Sequence, residues 1–167
     1  MTRPYQPPTT IAATLTTAAR YIEQFGWHSG YLYDNHTGCA RRCACHRTGY
    51  YPASIIGAIR AALTGRPKWF MDTTPPGTTE AYAACLDHLN HHLTAYGSAG
   101  TRAPALIWQS TLVRTPAQVI AALRAAASTA PTGRLYEPAA LAPVIDLATR
   151  RYTSAPPALF DPSTPAA

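Results

Sequence analysis

The chain has 167 residues, a formal net charge of +6, 47% hydrophobic and only 13% charged side chains, and a mean hydropathy of −0.11. One core is expected at this length, because single domains run about 100–200 residues. Such a composition excludes a charged disordered chain, a long coiled coil and a collagen-like fibre, and the lack of any run of about 18 apolar residues excludes a membrane span. Four cysteines are too few for a disulfide scaffold. The opening Met1-Thr2-Arg3-Pro4-Tyr5-Gln6-Pro7-Pro8 has no apolar leader segment, so a cytoplasmic location is expected.

Residues 1–8 read as a flexible Pro-rich arm. A first helix is predicted from Thr9 or Thr10 to Phe25, with Ile11, Leu15, Ala18, Ala19, Ile22 and Phe25 on one stripe. Gly26 is expected to end it in the left-handed conformation, with Trp27 folding back onto the helix end. Gly30 to Gly38 reads as a short extended piece and a turn, and the cysteine-rich loop Cys39 to His46 follows. Ser54 is a plausible N-cap for a second helix through Ile55, Ile56, Ala58, Ile59, Ala62 and Leu63, closed by Gly65. Being apolar nearly all round, that helix should be central.

A third helix is expected from about Thr78 to Ala95, with Tyr82, Cys85, Leu86, Leu89 and Leu93 inward. Ala105-Leu106-Ile107-Trp108 fits either a strand or a helical turn. Thr115-Pro116-Ala117-Gln118 carries the sharpest local signal, a capping box with Pro at the first helical position. The helix it opens buries Val119, Ile120, Leu123 and Ala127. A last helix is expected from Pro138 through Leu141, Val144, Ile145 and Ala148, and the proline-broken stretch from Ser154 reads as disordered. The expectation is a mainly α-helical, compact bundle of four to five helices, with a short β-hairpin as the one optional extended element. A single domain over residues 9–152 would sit between the arm, 1–8, and the tail, 153–167.

The charge is uneven. Between Asn35 and Met71 stand Arg41, Arg42, Arg47, Arg60, Arg66 and Lys68 with no acid, while outside that window eight arginines and eight acids cancel. The same window holds His36, His46, Tyr50, Tyr51, Trp69 and Phe70. Arginine beside exposed aromatics suits phosphate or base contact, although a merely solvated basic face has the same composition. Tyr31 and Tyr33 are read as covering the core.

Two constellations bear on chemistry. Cys39, Cys43, Cys45 and His46 put four soft ligands into eight residues, as a structural zinc site would require. Adjacent Cys45 and His46 cannot readily share one ion, so a complete site would borrow from the third helix. There Cys85, His88 and His92 fall on one face, with His91 about 100° away. The bland alternatives are a core Cys85, half-exposed histidines and a loop disulfide such as Cys39 with Cys45. Cys45 beside His46 among arginines has the electropositive setting of a thiolate nucleophile, but no third group orients the base. The carboxylates are scattered singly and there is no Gly-rich phosphate loop, so the balance leans away from an enzyme without deciding it.

The order of pieces also carries a resemblance. Phe25-Gly26-Trp27-His28-Ser29-Gly30, then Ile56-Gly57-Ala58-Ile59-Arg60-Ala61-Ala62, then Trp108 ahead of Arg114-Thr115-Pro116-Ala117-Gln118-Val119-Ile120, is similar to a small helical domain family of unknown function found in actinobacteria and their phages. The resemblance spans Thr9 to Ala127 and implies no activity. Two positions depart from the family pattern. Ser54 stands where the pattern has cysteine, and Trp108-Gln109-Ser110 where it has Trp-Asn-Asp, so a function carried by those polar positions would be altered here.

The functional expectation is a non-enzymatic accessory binding or regulatory protein acting through residues 36–70. Arg41, Arg42, Arg47, Arg66 and Lys68 would supply charge, and Tyr50 and Tyr51 apolar contact. The alternatives are a nucleic-acid-binding protein with a structural zinc, and a cysteine-based enzyme or redox sensor using Cys43 or Cys45. Protein and nucleic acid both remain open as partners; a membrane does not.

Overall fold

The computed structural model describes residues 5–34, 45, 48–67, 77–96, 105–111 and 114–135. Five helices follow one another among them: α1 Ile11–Phe25, α2 Ile55–Thr64, α3 Thr78–Tyr96, α4 Ala105–Thr111 and α5 Pro116–Ser128. The protein is thus a mainly helical, compact bundle. The expected helix after Pro138 and the turn and loop from Asn35 to Ala44 lie outside the described residues.

Side chains set the helix starts. The Thr10 hydroxyl accepts from the Ala13 N–H at 3.1 Å, satisfying one of the donors that a helix N-terminus leaves without a partner. At α5 both halves of the capping box form: the Thr115 hydroxyl accepts from Gln118 N, and Gln118 Oε1 accepts from Thr115 N at 3.0 Å. Gly26 ends α1 with φ 96° and ψ 162°, which is not the expected left-handed helical conformation. This geometry still returns its N–H to the Ile22 carbonyl at 2.9 Å, and it turns the chain toward Ala53. Gly65 does close α2 in the left-handed conformation, at φ 78° and ψ −3°.

The apolar stripe of α1 lies at the centre. Leu15, Tyr21 and Ile22 are among the largest fully buried side chains, joined by Ile55 and Ile59 of α2, Leu89 of α3, and Val119 and Leu123 of α5. The most extensive packing is α1 on α5, followed by α1 on α2. The two helices flanking α1 run past α3, which also packs on α4. In α2 every residue but Arg60 and Thr64 is buried, as expected of a central helix.

Residues 27–34 form no regular hairpin. They pair with Ala53 through two isolated bridges, parallel at Trp27 and antiparallel at Tyr33. The reason is steric. Gly57 lets the Leu32 carbonyl and Tyr33 ring press directly onto α2, where any Cβ would overlap the Leu32 oxygen. With its open face taken by a helix, the segment has no need of a partner strand. Ala105 to Thr111 resolves as helix α4, whose first N–H is accepted by the Asn90 Oδ1 of α3 at 2.7 Å.

Candidate functional site

The most convergent polar arrangement among the described residues lies at the N-terminus of α2. Ser54 is fully buried and Gln109 is 1% exposed. Ser54 Oγ accepts from Gly57 N at 3.1 Å and donates to the Tyr31 carbonyl at 2.9 Å. The Ser54 N–H reaches the Leu32 carbonyl at 2.8 Å. Gln109 of α4 accepts from Ile55 N at 3.0 Å through Oε1 and donates to the Gly30 carbonyl at 3.1 Å through Nε2. Three consecutive carbonyls, Gly30 to Leu32, are therefore held by two side chains and one backbone group of α2 and α4.

Ser54 and Gln109 both bond within the first turn of α2. Chemically the node is closed: a buried Ser54 hydroxyl whose proton is already donated to a carbonyl has neither a base nor access to a substrate.

The basic segment is described in part. Cys39, Arg41, Arg42, Cys43, His46, Arg47 and Lys68, with His36, Trp69 and Phe70, lie outside the described residues. Arg66 is exposed at the end of α2. Tyr50, expected to offer apolar contact, is instead a core residue at 6% exposure. Its ring stacks on Phe25 with centroids 4.6 Å apart, lies 6.3 Å from the ring of Tyr21, and its hydroxyl donates to the Gly65 carbonyl at 3.0 Å. Tyr51 is half-buried, and its carbonyl accepts the Tyr21 hydroxyl at 2.9 Å. Burial pushes the Tyr21 hydroxyl above its ordinary range. Tyr33 is buried as expected, with its hydroxyl on the Gly57 carbonyl at 2.8 Å, whereas Tyr31 is 55% exposed instead of covering the core.

The cysteines and histidines divide between separate tasks. Cys45 and Cys85 are both buried, whereas a reactive thiolate requires an accessible sulfur. Burial raises the Cys85 thiol to about 11, with the neighbouring Thr14 hydroxyl pulling the other way. His88 Nε2 lies 2.8 Å from the Ala126 carbonyl, which can only accept, so this nitrogen carries the proton. His92 is 9% exposed, and its Nδ1 lies 3.3 Å from the Thr129 hydroxyl. Both histidines thus meet the C-terminal end of α5. His91 is exposed, as its place on the helix predicts. Among the described residues no group of three or more His, Cys, Asp or Glu is placed to hold a metal ion.

The node at α2 had no strong signature in the sequence. Its trace was the Ser54 N-cap, which says nothing of Gln109 until α4 is docked. Trp108 carries a second arrangement the sequence left unassigned: the Arg114 guanidinium lies 4.1 Å from its ring centroid and pins the approach to α5.

No curated protein and no solved structure matches the chain. A family model described as a family of unknown function (DUF6197) matches residues 6–129, the stretch that runs from the arm to the cap of α5. That covers most of the chain and every described helix, so the chain belongs to the DUF6197 family.

Proposed function

We propose that the chain is a non-enzymatic accessory binding or regulatory protein, cytoplasmic in an actinobacterium or its phage, that engages an anionic face of a partner protein through residues 36–70. The observation carrying this reading is the charge asymmetry. The whole excess of six positive charges falls between Asn35 and Met71, where no acid offsets it. The closed node at α2 supports the non-enzymatic part, since its polar groups are used in holding the fold. With Tyr50 committed to the core, apolar contact falls to the half-buried Tyr51, and charge would come from Arg41, Arg42, Arg47, Arg66 and Lys68. Heavy alanine, arginine and proline usage suits the proposed origin.

The test is recovery of a stoichiometric complex from the source cell, comparing wild type with the double variant Arg41→Ala, Arg42→Ala. The expected result is a complex that survives moderate salt and is lost in the variant. An affinity that collapses steeply with salt, equally for any oligonucleotide, would replace the protein partner with nucleic acid. A complex indifferent to the double variant would remove the basic segment from the interface.

A further inference from the structure

The C-terminal end of α2 is finished by side chains from elsewhere in the chain. Of the carbonyls a helix leaves without intrahelical partners, that of Ala61 is taken by the Gly65 N–H at 2.8 Å. The next, that of Ala62, accepts the hydroxyl of Tyr5 from the N-terminal arm. The Tyr5 ring lies over Gly65, where an added Cβ would stand 2.5 Å from Tyr5 Cδ1 and 2.6 Å from Cγ. The bare Cα of Gly65, in its left-handed conformation, is therefore the floor of a seat for an aromatic ring. Tyr50 holds the rim in place by donating to the Gly65 carbonyl while stacked on Phe25.

The arm is tied at its other end too. The Leu135 N–H donates to the Thr9 carbonyl at 2.7 Å, and Thr10 and Arg134 form an antiparallel bridge. Between the two attachments stand Pro7 and Pro8, which have no N–H to donate and pre-set an extended chain.

We propose that the end of α2 is a docking seat for an extended, tyrosine-bearing segment, and that the N-terminal arm fills it in cis as a releasable strap. Gly65 leads directly into the exposed Arg66, so the strap holds the helix end beside one charge of the basic segment. Control over partner binding rests on the proposed role of that segment; the seat itself does not.

Hydrogen exchange at the Gly65 amide reads the seat without any partner. In the full-length Tyr5→Ala variant exchange there should rise about tenfold, as expected for a lost contact at a helix end. A synthetic peptide of residues 1–10 added in trans should restore the wild-type rate, and the same peptide with Tyr5→Phe should restore less. Unchanged exchange in the variant, or no rescue by saturating peptide, overturns the proposal. Should Tyr5→Ala unfold the domain by circular dichroism, Tyr5→Phe decides, since it keeps the ring and loses only the hydroxyl. Faster exchange confined to the end of α2 supports the seat, and an unaltered rate overturns it.

Discussion

Gln109 shows how one side chain can hold two elements whose sequences do not mention each other. Its amide satisfies the orphan N–H of Ile55 and the carbonyl of Gly30, 54 and 79 residues away along the chain. Removing it leaves a buried donor and its partner carbonyl without bonds, and Gln109→Ala is expected to lower stability by about 2–3 kcal/mol in denaturant unfolding. Gln109→Glu keeps the acceptor for Ile55 but loses the donor and buries a charge, so it should be no milder. A loss of under about 0.5 kcal/mol for the alanine variant, the range of ordinary surface changes, would show that water replaces the amide freely. The tyrosines teach the same point. Tyr5, Tyr21, Tyr33 and Tyr50 each pass a hydroxyl proton to a backbone carbonyl, three of them on α2 or its cap. In sequence, a tyrosine that caps a helix and one that faces a partner look alike until the neighbour is known.

Among the elements, those with local chemistry were legible and those that depend on contacts were not. The capping box of α5, the Ser54 N-cap and the Gly65 terminator all lie within four residues of what they control, and all form as expected. Thr115→Ala should cost about 1 kcal/mol, because it releases one half of the box and leaves Gln118 N without its acceptor. Thermal unfolding checks this, and Thr115→Ser should recover most of the loss. The segment after Gly30 is the counterexample. Its alternating tyrosines suggested a hairpin, yet Gly57 allows it to press onto α2 and pair only with Ala53. Ala105 to Thr111 was ambiguous for a related reason: four apolar residues fit a strand or a helix, and Asn90 at its first N–H favours the helix.

For the molecule as a whole, α3 and α5 meet through a histidine contact that is expected to make stability depend on pH. Burial, then the charges of His88 and His91, hold His92 below its ordinary value. The unfolded state therefore binds a proton more readily than the folded one. Stability from this group is present above about pH 6.5 and falls as the pH drops below it toward the folded value. The midpoint of unfolding should decline on acidification from pH 7.5 to 5.5, and His92→Gln should flatten that decline. An equal slope in the variant would place the effect on other groups. The cysteines and histidines also mark how far sequence reading could go. Spacing on α3 aligned Cys85, His88 and His92 on one face, and all three are drawn into the bundle, but His88 and His92 meet the end of α5 and Cys85 lies beside Thr14. Periodicity, caps and composition by themselves determined a helical bundle with α2 central and an excess of positive charge confined to one window, because those properties are local or additive along the chain. Only the tertiary structure decided which carbonyl each tyrosine meets, that Ser54 and Gln109 close one buried node, and that Tyr5 seats on Gly65. Those are pairings between distant residues, and their energies exist only once packing has excluded water from both partners.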